Sequence, residues 1–260
     1  MWRALQGRLG QVGGALLIAV GMNSCATQDP VPEAAGLSVS AMAEAARGLL
    51  LSLSPEQRRD AALPMTADSA RASWSNLPAM FVQRGGVRLG EMDDSQRRAL
   101  HELLRASTSS QGYQKLAGII RLDGVLHEEA RTAVERGERT LQPELVDSWD
   151  SRNYWVSVFG EPGSDSWGWQ LSGHHLAANF TVVGERLSFT PLFLGAEPNE
   201  VQSGLEAGWR ALSHEAERGF ELLQALSAEQ RFEAVLDDDR GLVLLARGLE
   251  LLACGGGGLG

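Results

Sequence analysis

The stretch from Asn153 to Thr190 sets the strongest limit on what this chain can fold into. It opens with NYWVSVF, crosses the turn-rich loop GEPGSDS, and continues as WGWQLSGHHLAANFTVVGERLSFT. Short aromatic and β-branched runs, split by Gly, Pro and Ser clusters, are strand signals. Strands are expected over Asn153–Phe159, Trp167–Leu171, His175–Val183 and Arg186–Thr190. Gly184-Glu185 fits a two-residue II′ hairpin turn, in which Gly supplies the positive φ of the first central position.

Helical signals flank this stretch. Leu53-Ser54-Pro55-Glu56-Gln57-Arg58, Met92-Asp93-Asp94-Ser95-Gln96-Arg97 and Leu226-Ser227-Ala228-Glu229-Gln230-Arg231 share one pattern. In each, a Ser or Asp can accept a bond from a free backbone N–H, and Gln three residues later reaches back. Their spacing is unequal, so they mark separate helix starts and not a solenoid. Apolar stripes at helical steps run through Val39, Met42, Ala46, Leu49, Leu50 and Leu53, and through Leu205, Trp209, Leu212, Ala216, Phe220 and Leu223. The expected fold class is α+β: an antiparallel β-meander of about four strands, with helices before and after it.

The first residues are of another kind. Arg3 and Arg8 precede the uncharged apolar run Val12–Met22, and Ser24, Cys25 and Ala26 follow. That is the layout of a bacterial export signal, and its apolar run is too short to span a bilayer. Met22-Asn23-Ser24-Cys25 resembles a lipobox, with Met where Leu is usual, and makes Cys25 the expected lipid-attachment residue. Plain secretion after Ala26 is the competing reading. Residues 1–24 are then a signal peptide, 25–36 a tether, 37–236 the α+β domain and 237–260 an atypical tail. The expected location is the bacterial envelope, with the membrane as partner through the Cys25 lipid. Thr27 and Gln28 after the Cys favour the outer membrane, by similarity to Gram-negative sorting signals. Without lipidation, the protein is periplasmic or secreted. After processing, Cys254 is the only thiol left, so no intramolecular disulfide is available. A net charge of −10 argues against a nucleic-acid partner, since phosphate binding needs clustered Lys and Arg.

His174 and His175 are the candidate site. On a regular strand His174 shares a face with Leu176, Ala178, Phe180 and Val182, while His175 shares one with Ala177, Asn179 and Thr181. His174 then reads as a hydrogen-bonded core histidine or a ligand, and His175 as a pocket residue with small neighbours. Only a bulge or bend at Gly173 would turn both rings to one metal. Glu197, in the turn Gly195-Ala196-Glu197-Pro198, is the candidate oxygen ligand. Two His and one carboxylate suit a divalent metal such as zinc or iron. Trp167, Trp169 and Asn179 are the expected pocket wall. His101, His127 and His214 lie in polar helical stretches and read as surface. No nucleophile elbow, P-loop or dinucleotide fingerprint is present.

The run WGWQLSGHHLAANFTVVGERLSFTPLFLGAEP resembles the bacterial family named domain of unknown function 3500, in which W-x-W-x-x-x-G-H-H-L leads through a hairpin to T-P-x-F-x-G-x-x-P. RASWSNLP at Arg71–Pro78, RGGVRLG at Arg84–Gly90 and Gly112-Tyr113 resemble its amino-terminal half. The resemblance covers residues 40–237 and implies export and a pocket around the GHHL segment, with no established activity. Relatives continue past Val235-Leu236 into further strands, so this chain reads as carboxyl-terminally shortened. Two functions compete: an exported metal-binding protein or hydrolase built on the histidine pair, and a non-catalytic envelope lipoprotein binding a small molecule or protein through Tyr154, Trp155, Trp167 and Trp169. The favoured alternative for those aromatics is a hydrophobic core.

Overall fold

Each of the three Ser- or Asp-to-Gln signatures opens a helix. The computed structural model of the protein describes residues 38–235, all within one of the chain's two units. The expected signal peptide, the tether, Cys25 and the tail from residue 237 lie outside the described residues. Helix α1 (Val39–Ser52) is capped by Ser38 and buries Met42, Ala43, Ala46 and Leu49. In α2 (Pro55–Ala61) the Gln57 N–H donates to Ser54 Oγ at 3.2 Å, and the Ser54 N–H donates to Gln57 Oε1 at 3.0 Å. After β1 (Ala62–Leu63), α3 (Asp68–Ala72) and β2 (Val87–Arg88), Asp93 and Gln96 repeat that box at the start of α4 (Asp94–Ser107). The Gln96 amide donates to Gln57 Oε1 at 2.7 Å, so the two boxes also tie α2 to α4. Helix α5 (Ser110–Glu135) starts at a Ser109 cap, and α6 (Pro143–Ser148) has Pro in its first turn.

The sheet follows. Strands β3 (Tyr154–Phe159), β4 (Ser166–Gly173), β5 (Leu176–Val183) and β6 (Arg186–Ser188) pair antiparallel in sequence order, as the expected meander does. Gly184 closes the β5–β6 hairpin at φ 58°. The sheet is not purely antiparallel, however: β1 pairs parallel with Val158–Phe159 of β3. Strand β2 pairs with Trp155–Val156 on that strand, and β7 (Leu192–Leu194) with Leu176–Ala178 of β5. Segments of two or three residues carry no readable period-2 pattern, which is why the expectation omitted them. The strand expected over Arg186–Thr190 ends at Ser188. Three residues, 189–191, loop out opposite two on β5, and Pro191 has no N–H for a ladder.

The second apolar stripe forms a shorter helix than its spacing suggests. Gly204 and Gly208 take positive φ, so α7 (Ser213–Ala225) begins only after Leu212. Trp209 lies outside it, against Gly118 and under Arg121. Helix α8 (Ala228–Ala234) carries the third capping box. No helix among the described residues is long and apolar enough to cross a membrane.

One sheet face makes the core. Tyr154, Val156 and Val158, then Trp167, Trp169 and Leu171, then Leu176, Ala178, Phe180 and Val182 pack on α1, α4 and α5. The opposite face carries buried polar residues, among them Ser157, Gln170, Ser172 and Asn179.

Candidate metal centre at the β4–β5 turn

His174 and His175 are not strand residues. Gly173 pairs with Leu176, so the two histidines are the whole connection between β4 and β5. The alternation argument that sent them to opposite faces therefore does not apply. Their rings stack, with centroids 3.7 Å apart and planes at 29°. His175 holds φ 59°, the only positive φ outside glycine among the described residues. A left-handed conformation costs a residue with a Cβ roughly 1–2 kcal/mol. Two loops hold it there: the His175 N–H donates to Asn76 O at 3.1 Å, and its carbonyl accepts from the Gly195 N–H at 2.8 Å.

Beneath the turn lies a carboxylate that the sequence reading missed. Leu116, Ile119, Asp123, Leu126 and Ala130 are the buried stripe of α5, at steps of three and four. Asp123 interrupts this apolar row and is only 1% exposed. An acid inside a helical core stripe is the signal that would have found it, because a buried carboxylate demands partners. Its Oδ1 lies 2.9 Å from His174 Nδ1, and its Oδ2 accepts from the Tyr154 hydroxyl at 2.6 Å. The same hydroxyl lies 2.7 Å from the His174 carbonyl, so Tyr154 braces both the acid and the turn.

Gly173 makes that brace possible. Tyr154 and Gly173 are cross-strand partners, and a Cβ at Gly173 would sit 2.2 Å from Tyr154 Cδ1. Only glycine lets the ring cross the strand end and reach α5. Arg84 secures the other side of the turn. Its guanidinium donates to Ser75 O and Leu77 O at 3.0 and 2.5 Å and to Ser172 Oγ at 3.2 Å, fixing the loop that carries Asn76.

Burial dominates the electrostatics. It pushes the Asp123 carboxyl well above the usual carboxylate range. It lowers His174 to about 4, and lowers His175 to about 4 with a further contribution from the neighbouring His174 ring. Both imidazoles are therefore neutral at neutral pH and have lone pairs to give. Arg84, lowered by burial to about 10, keeps its charge. One ligand atom each from Asp123, His174 and His175 lies within 4.8 Å of the others.

Of the residues expected in the site, His174, His175 and Glu197 come together. Glu197 Oε2 is 3.5 Å from His175 Nε2, with its side chain 56% exposed to solvent. Trp167 and Trp169 do not join them. They lie several residues up β4 in the helix-packed core, Trp169 stacked on Phe180 at 4.4 Å. Asn179 sits on the opposite sheet face, bonded to Gln170 and to the Pro191 carbonyl. The aromatic sheet face considered as a binding surface is likewise core: Tyr154, Trp167 and Trp169 are buried, and only Trp155 is partly exposed. Of the remaining histidines, His101 bonds Tyr113, His127 lies 3.6 Å from Asp147, and His214 is exposed.

A family model described as Protein of unknown function (DUF3500) matches residues 35–248. No curated protein and no solved structure matches the chain.

Proposed function

The chain belongs to the DUF3500 family of proteins of unknown function, and for this member we propose a divalent transition-metal site at Asp123, His174 and His175. The observation that carries the reading is the convergence of those three side chains within 4.8 Å at a tight turn. Two neutral imidazoles and one carboxylate are a donor set for zinc or non-haem iron. The buried acid supports it further, since a nearby dication would offset the cost of ionising Asp123 away from water. His175 Nδ1 is buried without a hydrogen-bond partner, which leaves one imidazole nitrogen unspoken for. Glu197 faces the pair from the solvent side and serves as a further oxygen ligand or as the base at the site's mouth.

A bound metal of this kind would supply Lewis-acid chemistry and a water ionising near neutral pH. The chain's own residues do the rest. Tyr154 fixes Asp123 through Oδ2, Asp123 Oδ1 beside His174 Nδ1 sets that ring's position, and Arg84 holds the loop whose Asn76 carbonyl accepts the His175 N–H. An exported location, with a lipid on Cys25, completes the proposal and rests on the charged, apolar and small-residue pattern of the first 26 residues.

Calorimetric titration of the purified protein with zinc tests the metal reading. One equivalent is expected to bind, and His174→Ala, His175→Ala and Asp123→Asn are each expected to lose at least tenfold in affinity, as loss of a ligand or of its orienting partner does. No saturable binding, or variants equal to the parent, contradicts it.

A further inference from the structure

A cavity opens on the sheet face opposite the core, where α3 meets β4 and β5. Its volume is about 390 Å³, and Asp68, Arg71, Phe159, Gln170, Asn179 and Thr181 supply much of its wall. Asn179, expected beside the histidines, lines this cavity instead. The strand register explains the convergence. Gln170 pairs across strands with Asn179, Thr181 is the next residue of β5 on the same face, and Gly168 opposite Thr181 adds no side chain. None of these residues belongs to the histidine cluster.

The two amides are held in place and still have bonds to offer. Gln170 is 8% exposed and Asn179 7%. Gln170 Nε2 donates to Arg71 O at 3.2 Å and to Asn179 Oδ1 at 2.5 Å, and Asn179 Nδ2 donates to Pro191 O at 2.6 Å. A main-chain carbonyl only accepts, so these bonds fix which way each amide points. Asn179 keeps one N–H unspent. Gln170 Oε1 and the Thr181 hydroxyl have no hydrogen-bond partner among the described residues, and neither is sealed from solvent. The Arg71 guanidinium meets only Asp68, at 3.5 Å, and the Asp68 side chain is 87% exposed, a contact that contributes little in water. Polar groups already fixed in a concave wall lose little freedom when a ligand arrives, which is the make-up of a small-molecule site.

The chemistry of the wall selects the ligand. Arg71 and Asp68 are the only ionic residues lining the cavity and offset each other, so the wall calls for neither an anion nor a cation. Donors on Arg71 and Asn179 stand beside acceptors on Gln170 and Asp68, and Thr181 serves as either. A hydroxyl donates and accepts at once, so a ring bearing several hydroxyls meets both kinds. The volume lies at the low end of the roughly 300–1,000 Å³ of ligand pockets, room for one such ring. We propose that this cavity binds a neutral monosaccharide through Arg71, Gln170, Asn179 and Thr181.

The test is ligand-observed NMR titration of the purified protein in chelator, which keeps the metal site out of the measurement. The probes are D-glucose, D-galactose, D-mannose and N-acetyl-D-glucosamine, with D-glucuronate and D-galacturonate as charged controls. At least one neutral sugar is expected to bind saturably, and more tightly than either uronate. Thr181→Val keeps the side-chain shape and removes only the hydroxyl; it should weaken that sugar roughly three- to tenfold, the worth of one hydrogen bond. Arg71→Ala should weaken it as well. Neither substitution removes an internal side-chain hydrogen bond, so both variants should melt with the parent and bind zinc as the parent does. Absence of saturable binding by all four sugars, tighter binding of a uronate, or two variants that hold the sugar as tightly as the parent would overturn the assignment.

Discussion

At the scale of single residues, the two histidines have opposite duties, and substitution separates them. His174 is bonded to a buried acid; removing its ring leaves Asp123 Oδ1 without a partner, at a cost of about 1–3 kcal/mol. His175 occupies a conformation that glycine prefers. His175→Gly is therefore expected to melt at or above the temperature of the metal-free parent, yet to gain clearly less than the parent when zinc is added. Thermal melts with and without zinc check both halves, and a His175→Gly protein that is much less stable than the parent would show the strain argument to be wrong.

Protonation works at the same scale, with two opposed signs. His174 is lowered by burial from its ordinary 6.5 to about 4, so it contributes stability above pH 6.5 that is lost as pH falls toward 4. Asp123 is raised, so its contribution is fully present below its unfolded value and is lost as pH rises through its folded one. Asn at position 123 removes the second effect and keeps the first. In chelator, Asp123→Asn should thus lose stability between pH 6.5 and 4 more steeply than the parent. Denaturant melts across that range measure it, and a shallower slope in the variant would reverse the assignment.

At the scale of elements, the turn depends on one absent side chain. Gly173→Ala places a methyl inside the Tyr154 ring, and the expected loss is about 2 kcal/mol or more, since overpacking commonly costs 1–3. Gly219→Ala, in α7 with nothing near its Cβ, should instead stabilise the helix by about 0.5–1 kcal/mol. Chemical denaturation of the two variants gives the contrast; equal effects would mean that the Tyr154–Gly173 crossing is slack. Much of this architecture was legible in the chain. The Ser54, Asp93 and Ser227 boxes and the Gly184 hairpin are local chemistry, decided within four residues of sequence. The β4–β5 connection was not, because a His-His turn lacks the Gly or Asn that marks such turns and its conformation is imposed by Asn76 and Gly195, remote in sequence. Asp123 was hidden for a related reason: it sits 51 residues from His174, and only the packing of α5 on the sheet brings them together.

At the scale of the whole molecule, the proposal joins a metal site to an exported, anchored protein. Fractionation of the producing cells with mass spectrometry of the mature amino terminus tests the second part: an acylated Cys25 in the membrane fraction is expected, and a Cys25→Ala variant should lose attachment. An unprocessed Met1 in the cytosol would exclude export. The metal site itself is tested most directly by X-ray absorption at the zinc edge on the zinc-loaded protein, because that spectrum reports the ligands and not merely the binding. The account predicts a four- or five-coordinate shell containing two imidazole nitrogens near 2.0–2.1 Å, reduced to one in His174→Ala and in His175→Ala. A shell of oxygens alone, or one unchanged by either substitution, would contradict it.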